Sequence, residues 1–145
     1  MSQIAQIFNS LEGRWHFHRT ISNFGTVEGE ATFKRSATEK NLLHYREDGE
    51  WISKNGLNKV HREYLYQYQN EKISAYFAEQ KDRLLHTLEF QKNGLATAKH
   101  LCACDLYAAT YQFHNPDEFE LTYRVEGPKK NYTMTTLFQR LQNPE

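Results

Sequence analysis

A chain of 145 residues with 18 basic and 18 acidic side chains, formally uncharged overall, is sized for one domain, 1–145, with its own core. The balance argues against a nucleic-acid or anionic-membrane partner, since either calls for a clustered excess of Lys and Arg. Nine Tyr and nine Phe against three Pro favour sheet over helix, and an interior partly lined by Tyr suits a semi-polar cavity.

Ile4, Ile7, Phe8 and Leu11 fall at helical spacing and Gly13 stops the run, which predicts a helix over 2–11. The opening residues, Met1-Ser2-Gln3-Ile4-Ala5-Gln6, show no basic run followed by an apolar stretch. No signal peptide is therefore expected, nor a transmembrane segment, and the expected location is cytoplasmic. From Arg14 the period changes to two. Trp15, Phe17, Arg19 and Ile21 alternate with Arg14, His16, His18 and Thr20, which puts His16 and His18 on the solvent side. A turn around Asn23-Phe24-Gly25 leads to Val27, Gly29, Ala31 and Phe33 on one face. Further strands are expected at about 41–47, 58–69, 71–78 and 84–91, then 95–102, 105–113, 118–126 and 129–141. Asn93-Gly94 marks a hairpin between two of them.

About ten short strands with tight connections and no parallel crossover read as an antiparallel meander. So many strands tend to curl, and closing into a barrel removes exposed edges; a β-sandwich is the competing layout. The lone amphipathic helix favours the barrel, because a helix can plug one open end.

The densest chemistry lies in His100-Leu101-Cys102-Ala103-Cys104-Asp105-Leu106-Tyr107. If Ala103 and Cys104 form a hairpin tip, Cys102 faces Asp105, His100 faces Tyr107, and all four side chains share one face. That patch is either a hydrogen-bonded network fixing the hairpin or the floor of a pocket. A disulfide between Cys102 and Cys104 would be strained, so both read as free thiols. A metal on His100, Cys102 and Cys104 lacks a fourth ligand. A nucleophilic Cys102 activated by His100 is a second alternative, although two positions along a strand, about 7 Å, is long for a direct contact. A haem held by His86 or His100 is a further alternative, but no cofactor and no metal enter the preferred reading. In the last strand Lys130, Tyr132, Met134, Thr136, Phe138 and Arg140 share a face, and Lys130 at its open end suits a carboxylate or phosphate. Tyr64, Tyr66 and Tyr68 form a stripe, and Glu47 behind Tyr45 is either a cavity carboxylate or a hydrogen-bonded strut.

Leu11-Glu12-Gly13-Arg14-Trp15 resembles the Gly-x-Trp start of the first strand in lipocalins and their calycin relatives. That resemblance implies a Trp at the closed end of a barrel with a basic side chain from the last strand, here Arg140, stacked across it. The chain as a whole resembles an uncharacterised lipocalin-like family. The elements carrying this are the Gly-x-Trp start, Tyr45-Arg46-Glu47, the set His100, Cys102, Asp105, Tyr107, and the set Gly127, Pro128, Lys130, Tyr132. Leu85-His86 departs from it, where an aromatic is expected before the His. The resemblance implies a lipocalin-like barrel and supplies no activity.

Two functions remain open. The first is a barrel that binds a small anionic or amphipathic molecule with an aromatic or aliphatic body. Its lining residues would be His100, Cys102, Asp105, Tyr107, Lys130, Tyr132, Tyr45, Glu47, Tyr64 and His86. The second is a cofactor-free isomerase, cyclase or lyase moving protons with His100, Asp105, Tyr107 and Lys130. The partner in either case is a small molecule, with no nucleic acid and no membrane. Binding is preferred, because no complete catalytic constellation can be assembled from sequence.

Overall fold

The computed structural model describes residues 1–142. Helix α1 (Gln3–Leu11) is followed by ten strands: β1 (Gly13–Ile21), β2 (Gly25–Arg35), β3 (Leu42–Ser53), β4 (Gly56–Gln69), β5 (Lys72–Phe77), β6 (Leu84–Phe90), β7 (Leu95–Cys102), β8 (Asp105–Asn115), β9 (Glu118–Glu126) and β10 (Asn131–Arg140). Each strand pairs antiparallel with its sequence neighbour, and β1 pairs with β10 to close the barrel. The sandwich is thereby excluded. Several strands outrun the sequence expectation. β3 continues to Ser53 and β4 begins at Gly56, because the pairing Ile52 to Leu57 extends that hairpin past the residues with apolar alternation.

Helix α1 begins where the Ser2 hydroxyl accepts from the Ala5 amide, and it buries Ala5, Phe8 and Leu11. It closes the end of the barrel that carries the start of β1. There the Trp15 ring packs edge-on to Phe119 at 5.0 Å, and Phe119 stacks on Phe138 at 4.3 Å. Trp15 donates through Nε1 to the Leu11 carbonyl at 2.9 Å, fastening barrel to helix. The Arg140 guanidinium lies over the Trp15 ring at 4.4 Å, as the Gly-x-Trp resemblance implied. Gly13 has φ +132°, and a Cβ there would stand 2.7 Å from Arg140 Nη1. Only glycine satisfies both the backbone and the close approach.

The other end is open. Between them, Gly29 and Gly49 face each other across β2 and β3 on the inward side. A Cβ on Gly29 would stand 2.0 Å from the Asp48 carbonyl oxygen, and one on Gly49 would stand 2.9 Å from the Phe17 ring. Their bareness lets β2 and β3 coil tightly enough for Phe17 to fill the space. Burying each such ring is worth about 1.5–3 kcal/mol. Stability is thus concentrated in the closed half, which leaves the open half free to hold polar groups.

Candidate functional site

Arg19 points inward because it continues the alternation of Trp15 and Phe17, and only 4% of it is exposed. A guanidinium at that depth needs a partner. Glu47 on β3 supplies one: Arg19 Nη1 donates to Oε2 at 2.7 Å and Nη2 to Oε1 at 2.9 Å. Arg19 Nε donates to Thr136 Oγ1 at 2.8 Å, and the Tyr45 hydroxyl donates to Glu47 Oε1 at 2.5 Å. Directly across the ladder from Glu47 stands Arg62, whose Nε donates to Oε2 at 3.3 Å.

Burial by itself would raise the Glu47 pKa. The hydrogen bond from Arg19, the charges of Arg62 and Arg19, and the Tyr45 hydroxyl outweigh it and hold the carboxyl at about 2. Burial and the Glu47 charge keep the Tyr45 phenol protonated, so it stays a donor. For Arg62, burial opposes the charge and Glu47 restores it. The cluster therefore holds two cations against one anion. Both Arg19 terminal nitrogens are spent on Glu47, whereas those of Arg62 make no hydrogen bond among the described residues. The uncompensated positive charge faces the open half of the barrel.

Arg62 forms part of the wall of a cavity of about 220 Å³. Its apolar lining is Phe77, Leu85 and Met134, with Tyr64, Tyr107 and Tyr123 contributing rings; its polar lining is Arg62, Arg83, His100 and Cys102. Arg83 lies over the Phe77 ring at 4.4 Å, and Phe77 in turn meets the His100 ring at 5.9 Å. The register between β5 and β6 shifts between Ala75 and Tyr76, because Leu85 is an extra residue on β6; Leu85 lines the cavity while its neighbour His86 is buried. Beneath lies a chamber of only about 20 Å³ bounded by Glu47, Tyr45, Tyr66 and Tyr111, and Arg62, Tyr64 and Tyr123 line both spaces. The deep half is filled, and the room is at the mouth.

Most of the residues singled out in the sequence gather around this space. The β7–β8 register pairs Cys102 with Asp105 and His100 with Tyr107, as the hairpin reading required. His100, Cys102, Tyr107 and Tyr64 line the cavity. Lys130 stands at its rim, with Nζ 3.2 Å from the Tyr107 hydroxyl and 3.6 Å from Asp105 Oδ2. The Tyr107 hydroxyl and the Asp105 charge push the Lys130 pKa up. Lys130 and Asp105 thus neutralise each other outside the lining, and Tyr132 turns to the rim, edge-on to Phe24 at 5.9 Å. Tyr45 and Glu47 lie deeper, in the charged cluster. Tyr68 is not part of the cavity wall; it packs on Phe8 at 5.7 Å at the closed end. Cys102 and Cys104 are free and exposed. His16 and His18 lie on the outer wall, where His18 meets Glu28 at 3.1 Å.

The sequence reading missed Arg19, Arg62, Arg83 and Tyr123. For two of them the signal was present: Arg19 shares the parity of Trp15, and Arg62 that of Tyr64 and Tyr66. An inward Arg is informative because it is costly unless paired. Arg83 comes from the β5–β6 connection, where no periodicity operates.

His86 is 2% exposed and joins a chain of hydroxyls, with Nε2 2.9 Å from the Tyr111 hydroxyl, which lies 3.1 Å from that of Tyr66. Nδ1 has no partner among the described residues. Burial, helped by the charge of His100, lowers the His86 pKa to about 4, so the ring is neutral at pH 7. A His with a folded pKa below its unfolded value binds more protons when unfolded. Stability is complete above about pH 6.5 and falls as the pH drops toward 4. Glu47, with its lowered pKa, adds a second loss between about pH 4.5 and 2. Melting temperature should therefore decline steadily below pH 6.5. In His86→Gln the decline should begin only near pH 4.5; an unchanged profile would show that His86 does not carry the first step.

A family profile matches residues 11–140. The chain belongs to the family of unknown function DUF6314. No curated protein matches it in sequence. Among solved structures it is similar to the S-type phycobiliprotein lyase CPES from Guillardia theta, at 11% identity and a TM-score of 0.62, covering 99% of this chain and 95% of that one. It is also similar to the redesigned β-barrel b11L5F_LGL, at 12% identity and a TM-score of 0.53 over 94% and 96% of the two chains. A third likeness is EF1p2_mFAP2b bound to DFHBI, at 13% identity and a TM-score of 0.52 over 97% and 99%. At these identities the likeness concerns the fold. No helix among the described residues is long and apolar enough to cross a membrane.

Proposed function

We propose that this barrel binds a small anionic molecule, its negative group directed at Arg62 and its aromatic or aliphatic body held by Tyr64, Phe77, Leu85 and Met134. The observation that carries the reading is the unbalanced charge of the Arg19–Glu47–Arg62 cluster, whose spare guanidinium nitrogens border a cavity with no carboxylate in its lining among the described residues. Arg83 adds a second cation there, and a planar guanidinium matches a carboxylate or phosphate with two parallel hydrogen bonds. At about 220 Å³ the cavity is below the roughly 300–1,000 Å³ usual for drug-sized ligands, which favours a compact molecule or one whose tail emerges from the mouth. The similar barrel EF1p2_mFAP2b is bound to DFHBI, which supports a small-molecule reading.

Two fluorescent probes with the same rings test the charge. Anilinonaphthalene sulfonate should bind with one-to-one stoichiometry and about 10–100-fold more tightly than uncharged N-phenyl-1-naphthylamine, because a charged hydrogen bond is worth about 1.5–3 kcal/mol. In Arg62→Met that preference should fall about tenfold, Arg83 retaining the remainder, while the uncharged probe still binds. Equal affinities in the wild-type protein would sink the proposal. Native mass spectrometry of protein purified from its source would then identify the resident molecule.

A further inference from the structure

Seven of the eight arginines in the chain form an ion pair with a carboxylate. Arg83 is the exception among the described residues. Its own connection, 78–83, carries two carboxylates, Glu79 and Asp82. The guanidinium pairs with neither and lies over the Phe77 ring at 4.4 Å, in the wall of the larger cavity. Unpaired lysines are ordinary on a surface, because an ammonium is strongly hydrated; a guanidinium is more weakly hydrated and shaped for a planar acidic partner. Arg62 is the second arginine with capacity unfilled, since it shares Glu47 with Arg19 and its terminal nitrogens make no hydrogen bond among the described residues. The two arginines left short of an acid line the same space.

They do not converge on one point. Arg62 stands on β4 and leans toward β3, where its Nε is tied to Glu47 at 3.3 Å. Arg83 stands on the far side of β5, its carbonyl accepting from the Phe77 amide at 3.0 Å. Between them lie Tyr64 and Phe77, partners across the β4–β5 ladder with ring centroids 6.1 Å apart. Their depths differ as well. Arg62 lines both the larger cavity and the small chamber beneath it, whereas Arg83 lines only the larger one.

We infer that the cavity takes a dianion, a short aromatic or aliphatic body with an acidic group at each end, the inner group on Arg62 and the outer on Arg83. The inference rests on the anion-binding reading above and narrows its ligand class. A ligand with one acidic group satisfies Arg62 and leaves Arg83 without an acid. A body laid along Tyr64 and Phe77 carries its second group to the guanidinium above Phe77, where two parallel hydrogen bonds can form.

Three acids built on one ring test it by displacing anilinonaphthalene sulfonate: benzoate, phthalate with adjacent carboxylates, and terephthalate with carboxylates at opposite ends. At pH 7 terephthalate should displace the probe at a concentration about tenfold lower than benzoate does, with phthalate close to benzoate. Arg83 is exposed, so the advantage should shrink as salt is raised. Arg83→Met should cut the ratio of terephthalate to benzoate affinity to about threefold or less. Lys54→Met removes a charge from the β3–β4 connection, outside the cavity lining, and should keep that ratio. Equal affinities for benzoate and terephthalate overturn the inference; the one-anion reading then stands if the sulfonate probe still binds more tightly than the uncharged one. A preference for phthalate overturns it too, since both guanidiniums would then grip one place. So does displacement by none of the three acids. The same loss of ratio in Lys54→Met also overturns it, because the effect would then belong to overall charge.

Discussion

Glu47→Ala should destabilise the protein by about 3–5 kcal/mol, enough to leave a domain of ordinary stability largely unfolded. The carboxylate is 2% exposed and receives two hydrogen bonds from Arg19, one from Arg62 and one from Tyr45. Removing it leaves the Arg19 guanidinium buried with Thr136 as its remaining partner, next to a second cation. The cost comes from the stranded charge more than from the lost attraction. For that reason Arg19→Met combined with Glu47→Leu should recover much of the stability, since an apolar pair of similar volume needs no solvation. Urea denaturation followed by circular dichroism measures both. If Glu47→Ala cost less than about 1 kcal/mol, Arg19 would have found water and the interior would be wetter than its geometry implies.

The second large effect should come from Arg140→Ala, with a loss of about 2–4 kcal/mol, built from several charged hydrogen bonds and one cation–π contact. Arg140 joins parts of the chain far apart in sequence. Nη1 donates to the Glu12 carbonyl at 3.0 Å, Nη2 to that of Pro116 at 2.8 Å and also to that of Ser10, and Nε to Asp117 at 2.8 Å. It thereby satisfies the end of α1, the β8–β9 turn and the face of Trp15 at once. Arg140→Lys keeps the charge but not the planar fork, and should recover less than half the loss. In a Trp51→Phe background the emission of Trp15 should shift to the red as its ring loses cover. An Arg140→Ala protein that melts with the wild type would show that hydrophobic packing alone closes this end.

Much of this molecule is legible in one dimension because a strand has a period of two. The alternation from Trp15 onward gives the inward set of β1, and the same counting gives the pairing of His100 with Tyr107 and of Cys102 with Asp105. Such pairings follow from a tight turn alone, since hairpin register is local. The contact of Arg140 with Trp15 was also accessible, but only through the Gly-x-Trp resemblance; nothing in either local sequence requires it.

What alternation cannot supply is depth along the barrel axis and company across it. His100, Asp105, Tyr107 and Lys130 looked like one cluster facing a cavity, and they do gather, yet Lys130 and Asp105 pair at the rim instead of in the wall. Arg62 was passed over in a strand of mixed character, and Glu47 was read as a cavity carboxylate or a strut with no cation named as its partner. Closure of the barrel placed them opposite each other with Arg19, 28 positions from Glu47 in the chain, and so created the unbalanced charge on which the proposed function rests. The sequence by itself determined the strand order and the inward faces, because each depends on local periodicity, and the closed end came from the Gly-x-Trp resemblance. Only the tertiary structure decided how deep the cavity runs and which charges are left over. Those properties are sums over strands that meet only in three dimensions.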